Sequence, residues 1–224
     1  DRHSNRGPYR NVPVSEDWLA AIGDMLDDDL VSLTWVTQAA AREQLGELMV
    51  AAAQAVVDDQ QMSRDGFAWF RSSAAQITAH RHGLTLDGQG LSPLMTSAAK
   101  LLPPASRHTG DRFWVTQTRE VHTATAAAYG LLLVADPHDP QTQLRGGRML
   151  ERVHLGATVR GLALQHMNQI TERIDRVLSL GKPAVFAPLL DDVAGRPGRQ
   201  VLAAFRPGHP TAAGRATPVA PPPR

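Results

Sequence analysis

Two arginines, a histidine, a serine and an asparagine lie together near the start of the sequence, as Arg2-His3-Ser4-Asn5-Arg6. Guanidinium groups donate charge-assisted hydrogen bonds to phosphate oxygens, each worth about 1.5–3 kcal/mol before desolvation. Because Arg2 and Arg6 are four positions apart, both can converge on one phosphate, and the histidine and serine add further donors. The segment therefore predicts an anion site. The residues alone leave open the alternative of a basic terminus that binds no ligand.

A second group of basic residues lies at the other end of the chain. Residues 195–224 contain five arginines and no acid, whereas residues 16–29 contain six acids and no base. Both runs are typical of solvated surface. The functional alternative is that the basic end of the chain joins Arg2 and Arg6 around one anion.

The composition is that of a globular protein with an ordinary core. Of the 224 residues 42% are hydrophobic, and the formal net charge is +1, so no overall field attracts nucleic acid or a membrane surface. The absence of cysteine excludes disulfides and thiolate chemistry, and no apolar run approaches the ~18 residues of a membrane span. We expect one cytoplasmic domain over residues 1–224, with residues 207–224 as an extended tail rich in proline and arginine.

Common catalytic motifs are absent from the sequence. It contains no GxGxxG, GxxxxGK[ST], HExxH or GxSxG pattern. The sequence therefore lacks the usual signatures of dehydrogenases, NTPases, zincins and hydrolases. The pair His80 and His82 has no carboxylate nearby in the sequence to complete a metal site. The sequence therefore predicts neither a metal centre nor a catalytic triad.

Predicted helices and strands interleave along the chain. Helical periodicity predicts helices over residues 15–26, 37–58, 63–80, 94–102, 146–161 and 171–178, and apolar or alternating runs predict strands over 30–36, 129–135, 162–168 and 201–205. Ser15 and Thr37 are candidate N-caps. Glycine and proline between residues 83 and 93 predict a loop, and loops of this length often act as lids. The interleaving predicts a layered α+β or α/β domain.

Three stretches resemble the nitroreductase-like flavoproteins. They are RHSNR with the helix that follows it, residues 131–169, and the closing residues 199–224. The resemblance implies an α+β fold, with a central, mostly antiparallel sheet flanked by helices, and FMN as cofactor. More narrowly, RHSNRGP and LVSLTWVT followed by an Ala-rich helix resemble the second half of the twin, Acg-type nitroreductase-like proteins of actinobacteria.

The resemblance also implies a set of cofactor-binding residues. The Arg-rich start corresponds to the family's contacts with the phosphate and ribityl chain, residues 166–169 to the backbone N–H groups that face the flavin ring, and Arg224 to a tail arginine that binds the phosphate. The implied set is Arg2, His3, Ser4, Arg6, His166, Met167, Asn168, Gln169 and Arg224. It includes no catalytic side chain and no metal ligand.

The function implied by the resemblance is that of an FMN-dependent NAD(P)H oxidoreductase of nitroreductase type. Its acceptors would be nitro compounds, quinones or similar small molecules, and nucleic acid and membranes are not expected partners. One alternative is an FMN-binding protein without turnover, in which residues 80–93 cover the flavin and exclude nicotinamide. Another is a half-domain that binds nothing and serves only in dimerisation, with the glycines of helix 146–161 at the interface or in the interior.

One family feature is missing from the sequence. The Pro-Ser-x-x-Asn-x-Gln-Pro-Trp-like segment that the partner half contributes to the family's flavin site does not occur here. Together with a start that lacks methionine and falls inside a candidate binding motif, this predicts the C-terminal part of a longer protein. We expect a second nitroreductase-like half, in the same chain or in a homodimer, to complete the site.

Overall fold

A computed structural model describes residues 2–214. The helices are α1 (Glu16–Asp24), α2 (Ala39–Asp58), α3 (Gln60–Ala68), α4 (Ala74–Ala79), α5 (Pro93–Leu101), α6 (Arg107–Gln117), α7 (Pro140–Val159), α8 (Gln169–Ser179) and α9 (Phe186–Ala194). The strands are β1 (Ser32–Val36), β2 (Phe70–Arg71), β3 (Leu84–Thr85), β4 (Tyr129–Val134), β5 (Ala163–His166) and β6 (Gln200–Gly208). Residues 207 and 208, the first of the predicted tail, thus belong to β6, and residues 215–224, with Arg224, lie outside the described range.

The main sheet has four strands in the order β1-β4-β6-β5, and each neighbouring pair is antiparallel. Every residue of β4 is buried because helices cover both faces of the sheet. Leu132 and Val134 face a core shared with α1 and α7, whereas Leu131 and Leu133 face a core shared with α2, α8 and α9. This alternation follows the two-residue period of a strand. The predicted α+β class, with a central antiparallel sheet flanked by helices, is confirmed.

The helix starts test the predicted caps. Ser15 caps α1 as predicted, because its side chain accepts a hydrogen bond from the Trp18 N–H. The prediction for Thr37 is wrong: α2 begins at Ala39, and the residue before it makes no side-chain cap. Helix α7 begins at Pro140, six residues earlier than predicted, because Asp139 caps it and proline is tolerated in a first turn.

The middle of the chain differs most from the prediction. The single helix predicted over residues 63–80 is two helices, α3 and α4, separated by β2, because β2 pairs with the distant β3. The predicted loop 83–93 contains β3 and a 3-10 turn at Leu86–Gln89. Helix α6, the π-helical turn at Thr118–Thr123 and α9 were not predicted.

Two of the glycines in α7 lie in the interior. A Cβ atom at Gly146 would meet the Leu202 side chain, and one at Gly156 would meet Ile22. These contacts favour the interior alternative over an interface at both positions. Within residues 2–214 no helix combines the length and apolar character needed to cross a bilayer.

Candidate functional site

The start of the described chain lies along β5, one of the two edge strands of the main sheet. Ser4 forms a parallel bridge with Leu164, and the Asn5 N–H donates to the Leu164 carbonyl at 3.1 Å. Tyr9 then forms an antiparallel bridge with Pro210, just beyond β6. Because His166 ends β5 two residues after Leu164, the two predicted cofactor-binding segments lie at the same edge of the sheet.

Arg2 is held by α7. Its Nε lies 2.9 Å from Oε1 of Glu151, and its Nη1 lies 3.3 Å from Nδ1 of His154. The other ring nitrogen of His154, Nε2, is 3.3 Å from the His3 carbonyl. Since a carbonyl only accepts, Nε2 carries the proton and Nδ1 accepts from Arg2. Burial, followed by the charge of Arg2, lowers the pKa of His154 to about 4, so this ring is neutral at neutral pH.

Arg6 differs from Arg2 in the charged groups around it. Its side chain is partly buried, and Nη1 donates to the Gly88 carbonyl at 3.1 Å. No described residue forms an ion pair with it. Burial lowers the pKa of Arg6, although a guanidinium stays protonated in proteins. A partly buried cation without an acidic partner is costly, and a bound anion would supply the missing countercharge.

His166 lies beside these arginines. Its ring centroid is 5.5 Å from that of His154, and the side chain is partly buried. Burial, and then the charges of Arg2 and Arg6, lower the pKa of His166. The neutral imidazole of His166 therefore lies near the two cationic side chains of Arg2 and Arg6.

The three residues after His166 are directed elsewhere. The Met167 N–H donates to the Ala204 carbonyl at 2.8 Å, and its side chain is buried in the core shared with α2. Oδ1 of Asn168 accepts from the Ala204 N–H at 2.9 Å, and Gln169 donates to the Met49 carbonyl at 3.5 Å. The structure therefore brings His166 to the N-terminal segment and ties these three side chains to the sheet and α2.

Residues 84–90 pack against the backbone at Arg6. Gly90 has a φ of 73°, and a Cβ at this position would lie 2.5 Å from the carbonyl carbon of Arg6 and 2.5 Å from the nitrogen of Gly7. Together with the Arg6 to Gly88 hydrogen bond, this close approach fixes the predicted loop region beside the arginine. Gly88 and Gly90 therefore contact the N-terminal segment directly at Arg6 and Gly7.

Two buried residues next to this site were not assigned to it individually from the sequence, where Arg206 entered only as one of the five arginines of residues 195–224. Arg206 on β6 is fully buried and donates to the Gly7 carbonyl at 2.7 Å. His122 in the π-helical turn is also buried, and burial, followed by the charges of Arg206 and Arg6, lowers its pKa to about 3. The available signal was an arginine inside the otherwise apolar run of β6, where a charged side chain is unusual.

Other features do not indicate a competing site. Among residues 2–214 no group of three or more histidine, aspartate and glutamate side chains is arranged to hold a metal ion. A shallow groove of about 770 Å³ lies between α2 and the π-helical turn, but it is lined by both signs of charge, with Arg42 and Arg119 beside Glu43 and Glu47. The groove does not include the N-terminal segment.

The fold is similar to that of solved nitroreductases. FMN and NADPH-dependent nitroreductase NfnB from sphigopyxis sp. strain HMH matches with a TM-score of 0.56 and 15% identity, over 94% of this chain and 85% of that one. FMN-dependent nitroreductase NfnB from Mycobacterium smegmatis, in complex with NADPH, matches with a TM-score of 0.55 and 14% identity, over 94% and 84%. A nitroreductase with bound FMN from Desulfitobacterium hafniense DCB-2 matches with a TM-score of 0.56 and 13% identity, over 99% and 90%.

No protein-family model and no curated protein matches the sequence. At identities of 13–16% the structural similarity concerns the fold alone, and function must be argued from the site. The predicted nitroreductase-like fold is confirmed.

Proposed function

We propose that this nitroreductase-like chain is an FMN-dependent NAD(P)H oxidoreductase, which reduces nitro compounds, quinones or similar small acceptors. The observation that carries the proposal is Arg6, a partly buried cation beside β5 with no ion pair to any residue in 2–214. A phosphate dianion fits this position, since guanidinium and phosphate form short, charge-assisted hydrogen bonds. The similarity to structures described as FMN-bound nitroreductases supports the same cofactor.

The residues proposed to hold FMN divide into two groups. Arg6, with the polar groups of His3 and Ser4 and with Arg2 and Arg224, would bind the phosphate and ribityl chain. His166 and the backbone of residues 167–169 would face the ring, although the Met167 N–H already donates to Ala204. Bound FMN supplies the electron transfer between NAD(P)H and the acceptor, while the protein supplies binding, orientation and electrostatics.

A second candidate function is FMN binding without turnover. The observation that favours it is the packing of residues 84–90 against Arg6, through the Gly88 carbonyl and the close backbone approach of Gly90. A segment fixed there would cover bound FMN and exclude nicotinamide. The two candidates share the cofactor and differ in whether NAD(P)H has access to it.

We further propose that a second nitroreductase-like half completes the site. It would come from the same longer chain, as in the Acg-type twin proteins of actinobacteria, or from a second copy in a homodimer. The sequence lacks the segment that the partner half contributes in the family, which supports this arrangement. NAD(P)H as the reductant fits a cytoplasmic location. A doubling of mass in light scattering would support the homodimer, whereas a monomer that binds FMN with full affinity would contradict the need for a second half.

The purified protein is expected to bind FMN and then to lose the visible absorbance of oxidised flavin when NADPH or NADH is added without oxygen. Loss of absorbance supports the oxidoreductase, because the flavin accepts electrons only if nicotinamide has access. FMN that stays bound and coloured favours the protein without turnover. If no FMN binds in a fluorescence titration, both proposals are wrong and the dimerisation module becomes the better explanation.

Arg6→Ala is expected to raise the dissociation constant for FMN about tenfold or more. Arg2→Ala should raise it less, about threefold, because the Arg2 guanidinium is already paired with Glu151 and bonded to His154. Arg10→Ala is the matched control, since Arg10 is an exposed arginine of the same segment. Flavin fluorescence quenching measures all three. Equal losses for Arg6→Ala and Arg10→Ala would show that the phosphate does not bind at Arg6.

A further inference from the structure

Arg206 is a charged residue in the interior of the main sheet. It lies on β6, between β4 and β5, and its side chain has no exposed surface. Fully buried arginines are rare unless a partner neutralises them. Arg206 therefore requires an explanation beyond the packing of the core.

Uncharged acceptors surround the guanidinium group. Nε donates to Oε1 of Gln165 at 2.8 Å, and Nη2 donates to the Gly7 carbonyl at 2.7 Å. Nη1 donates at 3.0 Å to the His122 carbonyl and at 3.0 Å to Oγ1 of Thr125. The Tyr9 ring covers the group, with its centroid 3.9 Å from Cζ. The guanidinium therefore donates to three separate parts of the chain, which are the N-terminal segment, β5 and the π-helical turn with the residues just after it.

The charge of Arg206 is not neutralised by these contacts. No described acidic residue forms an ion pair with it. Gln165 is buried and occupies the place where a carboxylate of the same shape would neutralise the guanidinium. An apolar side chain would fill this volume without the desolvation cost of an ion. Stability of the core alone therefore does not account for the arrangement.

The charge lies next to the proposed phosphate site. The Gly7 carbonyl that Arg206 binds belongs to the residue directly after Arg6, and Tyr9 follows two residues later. Arg206 thus fixes the backbone from which the Arg6 side chain extends. Arg206 and Arg6 also act on one buried ring, because burial and then the charges of both arginines lower the pKa of His122.

We propose that Arg206 is a buried positioning residue for the phosphate of FMN, which anchors the backbone beside Arg6 and has the bound phosphate as its countercharge. This inference rests on the proposed function. It also specifies the ligand: the site should prefer FMN over riboflavin, the same molecule without the phosphate, and that preference should depend on the charge of Arg206.

Gln165→Glu tests the charge with almost no change in shape. The introduced carboxylate neutralises Arg206 in place, so the dissociation constant for FMN is expected to rise about fivefold, while that for riboflavin changes less than twofold. The unfolding temperature should not fall, because the new group has a cationic partner. Gln143→Glu is the matched control: Gln143 is exposed on α7, about 16 Å along the helix from His154, and both affinities should stay at the wild-type values.

The outcomes separate this inference from the proposed function. If wild-type protein binds no FMN, both are wrong. If wild-type protein binds FMN and Gln165→Glu keeps the wild-type preference for FMN over riboflavin, or loses both ligands equally, only the role of Arg206 is wrong. Arg206→Lys and Arg206→Met give a second test, since the lysine keeps the charge and should retain the preference, whereas the methionine should lose it.

Discussion

Gly90→Ala is expected to raise the FMN dissociation constant about thirtyfold or more. Gly90 has a φ of 73°, where an L-residue costs about 1–2 kcal/mol. Its new Cβ would also lie 2.5 Å from two backbone atoms, one of Arg6 and one of Gly7, and overpacking of this kind costs about 1–3 kcal/mol. Relief requires that the N-terminal segment and residues 84–90 move apart. A loss of about 2 kcal/mol or more corresponds to the expected change in affinity.

Gly198→Ala separates the two parts of this cost. Gly198 has a similar φ of 74° but no neighbouring atom within 4 Å of its Cβ position, so the substitution introduces strain without a clash. It should lower the free energy of unfolding by about 1 kcal/mol and leave FMN affinity unchanged. Wild-type FMN affinity in Gly90→Ala would show that the contact between residues 84–90 and Arg6 plays no part in binding.

The elements that sequence patterns predicted correctly are those with strong local signals. The run of β4 is apolar throughout and ends in a turn sequence, and α1 has both a serine cap and apolar residues at helical spacing. The elements that were missed depend on distant partners. Phe70 is in a strand because it pairs with Leu84, and a π-helical turn at Thr118–Thr123 departs from the 3.6-residue period that sequence analysis uses.

The candidate site was only partly predictable for a geometric reason. Spacing suggested that Arg2 and Arg6 converge, yet four residues of extended chain span up to about 13 Å. Alongside β5, Arg2 therefore contacts Glu151 on α7, whereas Arg6 contacts the Gly88 carbonyl. Local spacing does not distinguish an extended segment from a turn, and the acidic partner of Arg2 is 149 positions away in the sequence.

Arg206 illustrates a further limit of sequence reasoning. An arginine in a strand is expected at the surface, and its burial here depends on acceptors from the N-terminal segment, the π-helical turn and β5. Three of the five acceptors are the backbone carbonyls of Gly7, Val121 and His122. Every residue has such a carbonyl, so residue types in the sequence do not reveal these acceptors. Only the assembled fold shows that, of the three arginines near the candidate site, Arg2 is paired with an acid, whereas Arg6 and Arg206 form no ion pair with any residue in 2–214.

Gly130→Ala is expected to lower the free energy of unfolding by about 3 kcal/mol. Gly130 lies opposite Phe205 in the pairing of β4 with β6, and a Cβ at Gly130 would run into the Phe205 ring. The ring has little room to move, because it is fully buried and its centroid is 5.6 Å from that of Trp35. The expected cost is at the upper end of the range for an overpacked core, and urea unfolding measures it.

Gly147→Ala is the matched control for this substitution. Gly147 is exposed in the middle of α7 with no atom within 4 Å of its Cβ position, so alanine should stabilise the helix by about 0.5–1 kcal/mol. Because Phe205 directly precedes Arg206, displacement of the ring should also move the guanidinium that anchors Gly7. Gly130→Ala should therefore weaken FMN binding as well as stability, and a variant that loses stability while keeping full FMN affinity would show that the core at β6 and the phosphate site are independent.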